Sequence, residues 1–183
     1  LIEPTGLSEK YSLNLSEPIL LVGQHPVTTE VDDAPDQIRE TLEAIVELKH
    51  QTILIYPNAD AGGRKMIEAI KTYEKYPFIK TFKNIPHTEY ISIMKITSVM
   101  VGNSSSGIIE SSSFGLPVVN IGSRQEGRER AENVIDVDYD KEEIKIAIEK
   151  ALYDNDFKRK VKNCENSYGD GKAGVRIADV LNT

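Results

Sequence analysis

The chain has 183 residues, 39% of them hydrophobic and 28% charged, and a net charge of −7. That mix supports a globular core, and the acidity argues against nucleic acid and anionic membrane as default partners, though it leaves room for a local basic site for a small anion. Cys164 is the single cysteine, so no internal disulfide can form, which fits a reducing, cytoplasmic setting; no apolar run approaches the ~20 residues that span a bilayer, and no secretion signal is expected.

The opening "LIEPTGLSEKYSLNLSEP", residues 1–18, is polar and turn-rich. It is expected to be a linker, with a folded domain over 19–183 and the chain a portion of a longer protein. "ILLVG" at 19–23 is a buried-strand run ended by Gln24-His25-Pro26. Asp33, Ala34 and Pro35 then offer a helix start, and Ile38, Leu42, Ile45 and Val46 recur at helical spacing up to Lys49. "TILIY" at 52–56 is the second strand, 64–75 a helix, and "FIKTF" at 78–82 a half-buried strand. A helix is expected from Thr88 through Ile91 and Met94, and a strand at 98–101. A polar turn, a helix near 106–114 and a strand at 117–121 follow. "NVIDV" at 133–137 is a further strand. Ile144, Ile148 and Leu152 stripe a helix over 141–152, and two more helices are expected at 155–163 and 172–181. Alternating short apolar strands and helices predict an α/β fold: a Rossmann-like, doubly wound, mostly parallel sheet with helices on both faces. Ligands of such sheets sit beyond the carboxyl ends of the strands.

The polar turn "VGNSSSGIIE", 101–110, stands at such an end. Its small residues, hydroxyls and free N–H groups at a helix start suit an anion, and Glu110 could hold a diol such as a ribose. Ordinary serine capping, with Glu110 closing a capping box, explains the same letters. "GSRQEGRER" at 122–130 carries Arg124, Arg128 and Arg130 after the next strand. It could place a guanidinium over a phosphate, or it could be a solvated loop paired with Glu126 and Glu129. His25 follows a strand end directly, whereas His50 and His87 read as surface residues. These histidines and one cysteine lack metal-ligand spacing, so no metal is expected. "NADAGGRK" at 58–65 is a second strand-end loop. "GDGKAG" at 169–174 matches G-x-G-x-x-G literally, but no strand precedes it and no βαβ unit can follow. It is expected to be a turn at the start of the last helix.

Taken together, "HPVTTE", "YPNADAGGRKM", "VGNSSSGIIESSSFGLPVVNIGSRQEGRERAENVIDV" and "YGDGKAGVRI" resemble the UDP-N-acetylglucosamine 2-epimerases, and most of all their hydrolysing branch. The resemblance implies the C-terminal, UDP-binding half of a two-domain enzyme of the glycosyltransferase-B type. It implies that Ser104 and Ser105 meet the UDP phosphates, that Glu110 holds the ribose hydroxyls and that Arg124 lies near the nucleotide. His25 is implied as the catalytic-side histidine near the phosphates, Asn58 as a lining residue, and the backbone of Ile85 as the contact to uracil. The family's acid/base carboxylates belong to an N-terminal half, so this half is expected to be inactive alone. No cofactor is expected; a homo-oligomer is. The resemblance leaves open a non-hydrolysing epimerase, and a glycosyltransferase of the same fold.

Overall fold

The computed structural model describes residues 1–182. Six strands, β1 (Ile19–Gly23), β2 (Gln51–Ile55), β3 (Ile79–Phe82), β4 (Val99–Gly102), β5 (Val118–Ile121) and β6 (Val134–Val137), form one parallel sheet in the order β3-β2-β1-β4-β5-β6. The two innermost strands, β1 and β4, carry no polar side chain and are buried throughout because both faces are covered. Side chains alternate between the two faces. Leu20, Val22, Leu54, Val99, Val101, Val119 and Ile121 enter one core, while Ile19, Leu21, Ile53, Met100 and Val118 enter the other. Full burial of each such side chain stabilises the fold by roughly 1.5–3 kcal/mol.

The helices are α1 (Pro4–Tyr11), α2 (Ala34–Leu48), α3 (Gly63–Lys71), α4 (His87–Ile96), α5 (Ser106–Ile109), α6 (Lys141–Tyr153), α7 (Asn155–Asn163) and α8 (Ala173–Leu181). Buried residues of α2, α3, α6 and α7 complete the first core; those of α1 and α4 complete the second. The sheet is thus doubly wound, as the alternation of elements predicts. Pro35 stands in the first turn of α2, and Ile38, Leu42 and Ile45 form its buried stripe. Asp140 caps α6 by accepting a 2.9 Å bond from the Glu143 N–H, and Ile144, Ile148 and Leu152 face inward.

Three local readings of the sequence differ from the structure. Residues 1–18, expected as a linker, contain α1, and Leu7, Tyr11 and Leu13 are buried in the second core. Their polar neighbours mask a short apolar stripe, which Tyr11 extends by meeting Phe82 edge-on at 5.1 Å. The helix expected at 64–75 stops at Lys71 and gives way to turns in which Tyr73, Tyr76 and Phe78 pack ring to ring. The helix expected near 106–114 is one α turn followed by a 3-10 turn at Ser111–Phe114. There the Ser111 hydroxyl donates to the Gly107 carbonyl at 2.6 Å and accepts from Asn133 at 2.7 Å. A serine bonded back to the preceding turn competes with regular helix.

Candidate functional site

This strand order changes direction between β1 and β4, so a crevice opens at their carboxyl ends. Gly23 and Gly102 are paired there. Gly102 has φ +123°, and a Cβ at this position would lie 2.4 Å from the Gly23 carbonyl oxygen, so only glycine fits. The chain turns back over β1, and the N–H groups of Asn103 and Ser104 both donate to the Gly23 carbonyl at 3.1 Å. The Gly107 N–H donates to the Ser104 carbonyl at 3.1 Å. Within the described residues no acceptor meets the N–H groups of Ser105 and Ser106. The free donors expected across the whole turn therefore narrow to these two.

Asn103 is the node that joins three strand ends. It is fully buried. Its side-chain oxygen accepts the His25 N–H at 2.7 Å, and its amide donates to the His25 carbonyl at 2.9 Å. Its own carbonyl accepts from Arg124 at 3.0 Å and from Gln125 at 2.8 Å. The loops after β1, β4 and β5 are thereby locked together. His25 Nδ1 accepts the Asn58 N–H at 3.1 Å, which brings in the loop after β2 and leaves the proton of the neutral ring on Nε2. Burial, and then the Arg124 charge, hold the His25 pKa below its ordinary value. The ring is neutral near pH 7, and its Nε2–H is a donor.

Beside this node lies a cavity of about 270 Å³, lined by Gly23, His25, Ile55, Ile85, Tyr90 and Ser104 among others. Tyr90, on α4, shares a hydrogen bond with the Ser106 hydroxyl, which in turn bonds the Ser104 hydroxyl at 2.9 Å. Burial raises the Tyr90 phenol, and the Glu110 carboxylate adds to the shift.

The structure brings His25, Asn58, Ser104 and Arg124 into one bonded network, and Ile85 into the adjoining cavity. Ser105 and Glu110 flank it along the chain. The capping box that could have explained them does not form: neither residue makes a side-chain capping bond to the short helix or the 3-10 turn. Arg130 is not directed to the turn; it pairs with Asp136 at 3.0 Å and donates to the carbonyls of Gln125 and Arg128. It closes the 124–130 loop. Arg128 is exposed. Sequence reasoning gave no role to Asn103, Gln125 or Tyr90. A buried amide beside a glycine at a strand end was the available signal for Asn103; nothing in sequence marks Tyr90, sixteen residues before its partner. Among the described residues no group of three or more His, Cys, Asp or Glu could hold a metal ion, and no helix is long and apolar enough to cross a membrane.

A sequence model of the family described as UDP-N-acetylglucosamine 2-epimerase matches residues 4–182. A Legionella pneumophila protein named UDP-N,N'-diacetylbacillosamine 2-epimerase (hydrolyzing) is 40% identical over 176 residues, covering 96% of this chain and 45% of that protein. A Neisseria meningitidis UDP-N-acetylglucosamine 2-epimerase is 32% identical over 162 residues, which are 86% of this chain and 41% of that one. A crystal structure of the N. meningitidis epimerase bound to UDP-GlcNAc superposes with a TM-score of 0.77 at 15% identity, over 97% of this chain and 48% of that one. The chain spans less than half the length of these relatives.

Proposed function

The chain belongs to the UDP-N-acetylglucosamine 2-epimerase family, and from that premise we propose that it is the UDP-binding half of a hydrolysing epimerase, one that converts UDP-N-acetylglucosamine to N-acetylmannosamine and UDP. The observation that supports this most is the Asn103 node, which gathers a neutral histidine, a guanidinium and a serine turn at one strand-end crevice. In this reading Ser104, Ser105 and Arg124 hold the diphosphate, and Glu110 takes the ribose hydroxyls. Ile85 offers its backbone to uracil, Asn58 lines the pocket, and His25 points its Nε2–H at the phosphate side.

The reaction then divides between two halves. A base removes the C2 proton, the C1–C2 double bond forms, and the C1–O bond breaks with its electron pair on UDP. Water adds next, its hydroxyl at C1 and a proton at C2 on the opposite face. The base and acid for C2 come from the N-terminal half. This half stabilises the charge gathering on departing UDP through Arg124, His25 and the N–H groups of Ser105 and Ser106, as preorganised donors do. Helix α8 has no buried residue, and Val175, Ile177 and Leu181 are 64%, 59% and 79% exposed; it is the face we assign to the other half. The whole subunit is read as a cytoplasmic homo-oligomer.

A second sugar is favoured by one observation: the 40% identical Legionella relative is named for UDP-N,N'-diacetylbacillosamine. The uridine and diphosphate contacts would be the same. Proton NMR of the whole subunit with each UDP-sugar decides. Free N-acetylmannosamine accumulating from UDP-N-acetylglucosamine supports the first reading, and turnover of the diacetylated substrate alone supports the second. Two UDP-sugars in equilibrium, with no free sugar, would reject the hydrolysing branch.

A further inference from the structure

Three hydroxyls are linked at the crevice in a bonded line, Tyr90 Oη to Ser106 Oγ and Ser106 Oγ to Ser104 Oγ at 2.9 Å, and Ser104 is also near enough to act on the Tyr90 phenol. Each hydroxyl carries one hydrogen and so donates once. An arrangement in which both neighbours donate to Ser106 leaves the hydrogen of that buried hydroxyl without an acceptor in the line, which is costly; two continuous polarities remain. In one, Tyr90 donates to Ser106, Ser106 donates to Ser104, and the Ser104 hydrogen points out of the line. In the other, Ser104 donates inward and offers only lone pairs to the crevice. A diphosphate has only lone pairs of its own, so it can be held by the first polarity and not by the second.

We propose that Tyr90 is a positioning residue for the nucleotide: by donating to Ser106 it fixes the polarity of the line, so that Ser104 presents its hydrogen to the diphosphate. The inference rests on the nucleotide-binding reading above and adds a residue to it. Geometry and burial both favour the phenol as the inner end. Ser106 is buried, with 8% of its surface exposed, so its hydroxyl has the two neighbours in the line and little solvent. The Tyr90 phenol has Ser106 as its bonded acceptor, and its raised pKa keeps the hydrogen in place across the physiological range. Donors in sequence polarise one another, which makes the terminal Ser104 a better donor than an isolated serine. The line also gives the Ser106 hydroxyl a role, as the relay between Tyr90 and Ser104.

The test is the affinity of the full chain for UDP, measured by calorimetry with Tyr90→Phe, Ser106→Ala and the double variant. Tyr90→Phe keeps the ring, and Ser106→Ala leaves it untouched. Each single change is expected to weaken UDP about five-fold, about 1 kcal/mol, as for one hydrogen bond. The double variant should also lose about five-fold, because both changes break one line. Uridine, which has no phosphate, should bind the variants as it binds the unaltered chain. Singles without effect, or a double variant weakened about 25-fold, would overturn the proposal. An equal loss for uridine and UDP would do so too, by assigning Tyr90 to the base. If the unaltered chain binds no UDP, the nucleotide reading itself falls; failure of the relay alone shows only in the variants.

Discussion

The turns at 102–107 and 169–174 are both polar, glycine-bearing and followed by a helix, and they share almost nothing else. The turn at 102–107 follows a strand and is built into the sheet. A Cβ on Gly102 would strike backbone at 2.4 Å, and Asn103 beneath it is fully buried. The turn at 169–174 fits the dinucleotide-binding letters G-x-G-x-x-G, yet a Cβ on Gly169, Gly171 or Gly174 would meet nothing within 4 Å. Its bonds are local and exposed: Asp170 accepts the Lys172 N–H at 3.0 Å and pairs with Arg176 at 2.7 Å. The difference teaches that a glycine pattern signals a ligand through what its backbone must approach, not through its spacing.

One methyl group added to each turn should separate the two most strongly. Gly102→Ala combines a left-handed backbone with a clash against the Gly23 carbonyl, and should destabilise the chain by more than about 3 kcal/mol. Gly171→Ala has a positive φ of 78° and open space, so about 1 kcal/mol is expected. Urea denaturation of both variants checks this; equal losses would mean that the first turn is not held by the sheet.

Next in size are the two arginines. Arg124→Ala removes a charge from the Asn103 node and should weaken UDP by roughly 1.5–3 kcal/mol, the range of a charge-assisted bond. Arg176→Ala at the other turn should leave UDP affinity unchanged. Calorimetry on the pair tests whether the nucleotide distinguishes the turns. Glu110→Gln should weaken UDP more than inorganic diphosphate, by about ten-fold at most, since an amide is a poorer acceptor for a ribose diol. Equal losses for both ligands would show that Glu110 acts through the helix.

The smallest effect is one of pH. The His25 pKa lies below its ordinary 6.5 in the folded chain, so the unfolded chain binds more protons between the two values. The stability that comes from neutral His25 is complete above about 6.5 and is lost as pH falls through the lowered value. His25→Gln should flatten that part of the profile, read as urea midpoints from about pH 7 to pH 5. An unchanged slope would mean that the histidine is free to charge where it stands.

The fold was largely legible because both faces of the sheet are covered: continuous apolar runs such as "ILLVG" can be nothing but buried strand or helix, and their length decides. The elements that sequence misplaced are those governed by a distant partner. The α1 stripe of Leu7 and Tyr11 makes sense only with Phe82 and α4 in place. The break after Ile109 depends on Asn133, twenty-two residues from the serine it bonds. The site follows the same rule. Serines, glutamate and arginine announce themselves as local patterns after strand ends. Asn103 and Tyr90 do not, because their work is to join segments that only the folded sheet brings together.

We propose that the turn at 102–107, and not the turn at 169–174, receives UDP. Titrating UDP into the isotopically labelled chain and following each backbone amide by NMR tests it most directly. Shifts are expected to gather at His25, Asn58, Ile85, Ser104 to Glu110 and Arg124, with Gly169 to Gly174 unmoved. Shifts confined to Gly169 to Gly174, or no shifts at all at saturating UDP, would contradict it.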